Sequence, residues 1–284
     1  MAKVQRNYKL DIITPTGKVI TIEPPFTLIA AITRNTLSSA NKGSFTLYNL
    51  GENTRNQIYK DRFSITEYWQ VILYGGYGNR LHELFKGNML EGFSYKQNTE
   101  WITKLDCFDG MQAIQNGFTS TTIQANTPKE NILKTVIHDM PEMIAGIFGS
   151  PAQGEAPRGQ ALIGQSSQIL SEQTGDHYFI DGETINVLND NETLPGAVIK
   201  LDPEDLLETP RRREAFLDVP VLFEPQAQVG RVYEIESLES RFNGQYKIVG
   251  FGHNVAFDYS GKGGKAITKL QLYFGADGLQ EVSQ

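Results

Sequence analysis

His82-Glu83-Leu84-Phe85-Lys86 is the stretch that comes closest to a catalytic motif. On a helix, a His-Glu pair with a second His four positions after the first would hold zinc and supply a base. Lys86 stands at that place, and one His with one Glu cannot close a zinc site. Asp202, Glu204 and Asp205 cluster around Pro203. A glycosidase needs two carboxylates facing each other across a cleft, which nearness in sequence does not supply. Acidic side chains favour helix N-termini, so a solvated turn or helix start is expected there. Gly261-Lys-Gly-Gly264 lacks the first Gly and the Ser or Thr of a phosphate loop and reads as a hairpin tip. Cys107 is the single cysteine, so a disulfide within the chain is impossible. None of the four histidines stands at a recognisable pairing distance as its base, and a small buried apolar residue is expected. Trp69 and Trp101 flank strand-like runs and are expected in a core or an interface. No catalytic, cofactor-binding or metal-ligating residue is assigned, no cofactor is expected, and the chain does not read as an enzyme.

The elements around these residues are mostly strands. Tyr8, Leu10 and Ile12 alternate with Lys9 and Asp11, Thr14-Pro-Thr-Gly17 supplies a turn, and Val19 to Ile22 resumes, which predicts a hairpin. Further strands are predicted over 27–34, 44–48, 70–74, 83–90 and 101–108, with Gly75-Gly-Tyr-Gly78 as a turn. Thr54 to Lys60 is a short helix candidate capped by Asn53. Six or seven short strands at this spacing suggest a small barrel or sandwich. From 111 to 194 the period changes. Thr127-Pro128 opens a helix in which Ile132, Val136, Ile137 and Met140 share a face. Gly146 to Gly159 holds four glycines and two prolines and reads as a loop. A second helix is predicted over 162–173, then a hairpin with an Asp181-Gly182 turn. From Pro195 strands return over 197–201, 217–223, 232–237, 244–253 and 266–274.

Hydrophobic residues make up 39% of the 284 and charged residues 21%, a globular profile. The formal charge of −7 argues against general nucleic-acid binding, which favours a basic face. Arg211, Arg212 and Arg213 form the only dense basic run; a solvated loop is expected, with docking onto an acidic partner as the other reading. Met1 to Asn7 lacks the apolar stretch of a signal peptide, and no run approaches the roughly 18 apolar residues of a membrane span. Synthesis in a cytoplasm, where the chain stays soluble, is expected.

Three stretches carry a family resemblance. The first is Thr36-Leu-Ser-Ser-Ala-Asn41 leading to Phe45-Thr-Leu-Tyr-Asn-Leu50 and Thr54-Arg-Asn56. The second is the helix, helix, Tyr178-Phe-Ile-Asp-Gly182 unit. The third is Val221-Leu-Phe-Glu-Pro225, Val229-Gly-Arg-Val-Tyr-Glu-Ile-Glu-Ser237, then Gly244-Gln-Tyr-Lys-Ile-Val249 and His253. Their order resembles phage baseplate hub proteins, the family of tail-tube-like subunits that includes the T4-type hub and the late-control D proteins. The resemblance implies a mainly β fold: a tube-like β-barrel over 1–110, an α+β insertion over 111–194, and a second tube-like barrel over 195–284. It also implies a homotrimeric ring in the virion baseplate, joining the hexameric tail tube to the central spike. Its partners would be tube or distal-tube proteins, the spike and wedge proteins, with DNA passing transiently through the lumen. A tail-associated peptidoglycan hydrolase and a receptor-binding adhesin are the alternatives, and neither a paired acid and base nor fibre-like repeats are found for them.

Overall fold

Alternating buried and exposed side chains drive most of this chain into strands, because a period of two puts successive residues on opposite faces. The computed structural model describes residues 5–37, 40–64, 66–259, 264–275 and 278–282. The tip at Gly261 to Gly263, and Ser38 and Ser39 of the first family stretch, lie outside the described residues.

The first region contains β1 (Arg6–Ile13), β2 (Val19–Ile22), β3 (Leu28–Asn35) and β4 (Lys42–Tyr48). They are followed by α1 (Glu52–Gln57), β5 (Trp69–Tyr77), β6 (Arg80–Gln97) and β7 (Glu100–Phe108). The middle region opens with α2 (Met111–Asn116), β8 (Phe118–Ile123), α3 (Lys129–His138) and β9 (Ile144–Phe148). It continues with β10 (Gln160–Gln165), α4 (Ser166–Thr174), β11 (Phe179–Asp181), β12 (Thr184–Val187) and β13 (Glu192–Thr193). The last region holds β14 (Ile199–Leu201), β15 (Arg211–Arg213), β16 (Phe216–Leu222) and β17 (Val232–Ile235). It ends with β18 (Gly244–Phe257), β19 (Ala266–Tyr273) and β20 (Gln280–Glu281).

The fold is mainly β, built on one large sheet. Thirteen strands, from both the first and the last region, join along the path β15-β16-β19-β18-β3-β4-β7-β6-β5-β1-β2, with β14 and β17 branching from β18. The 14-residue β18 is the link. Its first residues pair with β17, from Gly244 opposite Ile235 to Lys247 opposite Val232. Its later residues pair with β3, from Gly250 opposite Asn35 to Phe257 opposite Leu28. The sheet then curls so that β1 returns to β18: Arg6 Nη1 donates to the carbonyls of Gly264 and Lys265, and the Tyr8 and Phe257 rings lie 5.3 Å apart.

Three apolar cores form. The first gathers Leu10, Phe45, Leu73 and Phe85 around Phe223, Val255 and Phe257. The second lies inside the middle region, where Ile132, Val136 and Ile137 of α3 meet Ile169 and Leu170 of α4. The third packs Val219, Tyr233, Ile248 and Leu272. Thus β18 places Ile248 and Phe251 in the third core and Val255 and Phe257 in the first. The short β11 does the same between its neighbours: Phe179 enters the third core and Ile180 the second.

Several local expectations are corrected. The second helix starts at Ser166, because Gln160–Gln165 pairs with β8 and Gly164 takes φ +153°. Residues 146–148 belong to β9, parallel to β12, so the loop is shorter than 146–159. Gly75 and Gly76 are inside β5, leaving Gly78 and Asn79 as the turn. Asn53 lies inside α1, whose N-cap is Gly51. The hairpin loop is Gly182-Glu183, both at positive φ, one residue after Asp181-Gly182. Arg211–Arg213 is an exposed edge strand, since its backbone pairs with Phe216 to Asp218.

Candidate functional site: a charged seam between the cores

The strongest polar cluster lies where the middle region meets the sheet. Arg34 is in phase with Leu28, Ala30 and Ile32 on the buried face of β3, so a guanidinium sits at the end of an apolar row. Its Nη1 lies 2.5 Å from Asp181 Oδ1, with 6% and 4% of the two side chains exposed. So little exposure leaves both charges poorly hydrated, so each depends largely on the other. Arg34 Nε and Nη2 have no hydrogen-bond partner among the described residues.

The next two residues complete the seam. Gly182 and Glu183 donate their backbone N–H groups to the two carboxylate oxygens of Asp109, at 2.8 and 3.1 Å. Glu183 then accepts from Lys86 Nζ at 2.5 Å and from Gln70 Nε2 at 2.6 Å. Asn41 Nδ2 donates to the Ile180 carbonyl at 2.7 Å. Every one of these anchors, from Arg34 to Asp109, belongs to the first region. The exit of the middle region is held by the last one: Lys247 Nζ donates to the carbonyls of Asn189 and Asp190 at 2.9 and 3.0 Å.

Burial sets the electrostatics. It pushes the Asp109 carboxyl up to about 6, against the opposing pull of Arg34 and the two backbone donors. It raises Glu83 as well, with Arg34 and Lys86 pulling the other way. His253 is pushed down to about 3 by burial, reinforced by Arg34, so the ring is neutral at pH 7. Its Nδ1 lies 2.8 Å from Thr268 Oγ1. Lys247 falls to about 8 on burial, with Asp190 and Glu192 opposing. A cavity of about 470 Å³ opens beside the seam, lined among others by Arg34, His82, Glu83, Asp181 and Arg231.

The structure scatters the other residues singled out from sequence. His82 and Glu83 lie on β6, a strand and not a helix, and Lys86 is committed to Glu183. Asp202 and Glu204 are exposed at a 3-10 turn over Pro203–Asp205. Among the described residues no three His, Cys, Asp or Glu side chains gather as metal ligands, and no helix is long and apolar enough to cross a membrane. Cys107 is buried on β7, and desolvation raises its thiol well above the usual range. Trp69 is in the first core, while Trp101 lies at the surface under the Arg55 guanidinium, 3.8 Å from the ring centre. Sequence reasoning missed Arg34, Asp109 and Asp181. For Arg34 the signal was present, a charge in register with three apolar positions of one strand.

This architecture has counterparts. The chain matches the baseplate hub gp41 family over residues 10–258 and belongs to it. No curated protein matches the sequence. Among solved structures, it is similar to the 43 kDa tail protein of prophage MuSo2 from Shewanella oneidensis, with a TM-score of 0.59 and 9% identity over 93% of this chain and 96% of the other. A tail protein from Neisseria meningitidis MC58 gives 0.58 and 12% identity over 94% and 96%. The c3393 protein of E. coli, a type VI secretion component described as similar to T4 tail proteins gp27 and gp5, gives 0.54 and 9% over 91% and 77%. At these identities the likeness is one of fold. Family membership makes the chain a baseplate component of a phage tail.

Proposed function

We propose that this chain is the structural ring subunit of the baseplate hub, three copies joining a sixfold tail tube to a threefold spike. One observation carries the reading: two apolar cores, one built mainly from the first region and one from the last, hang on a single sheet that runs through β18. Two sheet lobes per chain, times three chains, give six lobes for a sixfold neighbour, and a closed ring also leaves few strand edges exposed. In this reading the lobes are tube-like barrels over 1–110 and 195–284, the α+β unit over 111–194 is inserted between them, and the seam fixes their relative positions. The subunit is made in the host cytoplasm and works in the virion by rigid coupling, with no covalent chemistry and no cofactor.

Copy number in intact tails tests the ring, by quantitative mass spectrometry or image reconstruction without imposed symmetry. Three copies are expected. Six would make the chain a tube or distal-tube subunit, and many peripheral copies an adhesin. Turnover of host peptidoglycan by the pure protein, abolished by Glu83→Ala or Asp202→Ala, would replace the structural reading with the hydrolase one.

A further inference from the structure

The middle region carries a strand ribbon that nothing among the described residues completes. Among the described residues, β8 and β10 pair only with each other, from Phe118 opposite Gln165 to Ile123 opposite Gln160. One face is buried: Thr119, Ile123 and Leu162 lie against the second core and its helices. The other is open, with Phe118 59% and Ile163 69% exposed. These two are diagonal neighbours on it, because Ile163 stands opposite Ser120, two residues beyond Phe118.

The hydrogen-bond register shows which backbone groups are free. Ser166 N donates to Gly117 O at 3.0 Å. Hydrogen-bonded pairs alternate along an antiparallel ladder, so residues 119, 121 and 123 of β8 turn their backbone towards β10. Phe118, Ser120 and Thr122 therefore turn theirs outward, and no other segment of the described chain hydrogen-bonds to them. Soluble proteins protect such an edge with lysine, proline, a bulge or a covering element. This one carries no such residue: from Asn116 to Pro128 the chain has no charge, and no proline comes before Pro128. Nor does a charge occur from Gly159 to Ser171.

We propose that the β8 edge is a docking strip for an extended, uncharged segment of a neighbouring tail protein, which adds to the ribbon as a third strand. Main-chain bonds from Phe118, Ser120 and Thr122 supply the pairing, and Phe118 with Ile163 supplies the apolar contact for every second side chain of the guest. A different protein fits better than a second copy. A second copy would have to offer its β10 edge to β8, and that edge carries Gly164 at φ +153°; outside a closed ring such pairing would also extend without limit. A single guest strand caps β8 and ends the series. The β8 edge is the better host because β10, though continuous, carries Gly164 at φ +153°, a backbone conformation a regular strand does not take.

The inference rests on the chain's place in the tail, and the test separates the two. Particles lacking the chain are supplied with wild-type protein, Ser120→Pro or Ala161→Pro, and incorporation is read by mass spectrometry. Proline at 120 deletes an outward N–H and leaves the internal ladder intact, so the free variant keeps its fold. Its incorporation is expected to drop at least tenfold, while Ala161→Pro, on the other edge, incorporates normally. Should Ser120→Pro fail to fold, Ser120→Lys serves instead. Amide exchange at Phe118, Ser120 and Thr122 should slow at least tenfold between free subunit and tail. Equal incorporation of the edge variants, or loss with Ala161→Pro alone, overturns the proposal. So does a concentration-dependent self-association of free protein that Ser120→Pro abolishes, which would make a second copy the guest. Absence of the wild-type chain from tails would instead defeat its placement there.

Discussion

Arg34 and Asp181 stand 147 positions apart in the chain and meet as a buried ion pair, Nη1 2.5 Å from Oδ1. The first is on the strand that joins β18, the second on the hairpin that separates the second core from the third. Removing one partner of such a pair leaves an uncompensated buried charge, which costs about 3–5 kcal/mol, while removing both costs far less. Arg34→Met and Asp181→Leu are each expected to lower stability by that order, and the double variant Arg34→Met with Asp181→Leu by clearly less than their sum. Urea denaturation of the four proteins measures the coupling. Additive losses would mean that the pair does not hold the seam.

Asp109 gives the seam a pH dependence of known sign. Its folded carboxyl is pushed up to about 6 from an ordinary 3.8, chiefly by burial. The folded state therefore holds the proton more tightly than the unfolded chain. The stability this contributes is complete below about pH 4 and is lost as pH rises through about 6. Wild-type protein is expected to lose stability between pH 5 and pH 7.5, and Asp109→Asn to lose distinctly less over the same range. Thermal melting at the two pH values reads the difference, and identical slopes would remove Asp109 from the account.

Much of this fold was legible from local pattern. Alternation in Tyr8, Leu10 and Ile12, or in Leu270 and Leu272, marks strands because the buried face follows a period of two. The helix at Ile132, Val136 and Ile137 was legible from its period for the same reason. The 162–173 stretch misled because Leu162 and Ile169, seven apart, fit a helix face although one lies in β10 and the other in α4. Gly146 opens a run rich in glycine and proline that reads as loop, yet it lies in β9, where Asn186 fills the place of a side chain. The seam was not legible. Asp109 and Asp181 acquire their meaning only when β11 is laid against the sheet, and no local period encodes a contact across that separation.

Gly87 tests how tightly the seam is packed. A Cβ there would lie 2.6 Å from Phe108 O and 2.9 Å from Asp109 N, both backbone atoms that cannot swing aside. Gly87→Ala is expected to cost about 1–3 kcal/mol or more, as overpacking does. Gly51→Ala, where nothing lies within 4 Å, is expected to cost about 1 kcal/mol or less through its helix cap. Chemical denaturation ranks the two, and equal losses would contradict the packing argument.

Arg211–Arg213 forms the outermost strand of the large sheet, and its charges have partly local uses. Arg211 reaches Glu208 at 3.3 Å, Arg213 reaches Asp218 at 2.8 Å, and Arg212 lies over the Phe274 ring. Exposed pairs of this kind contribute about 0–1 kcal/mol each. A run of charge on an edge strand also discourages unwanted strand pairing, which is a use independent of any partner. If an acidic neighbour in the baseplate docks here as well, changing all three to Ala will leave the fold nearly as stable and lower incorporation into tails. The loss will be largest at low salt, where the lost attraction was least screened, and smallest near 1 M, where the screening length is about 3 Å. Incorporation that is unchanged at every salt concentration, together with new self-association of the free variant, would assign the run to edge protection alone.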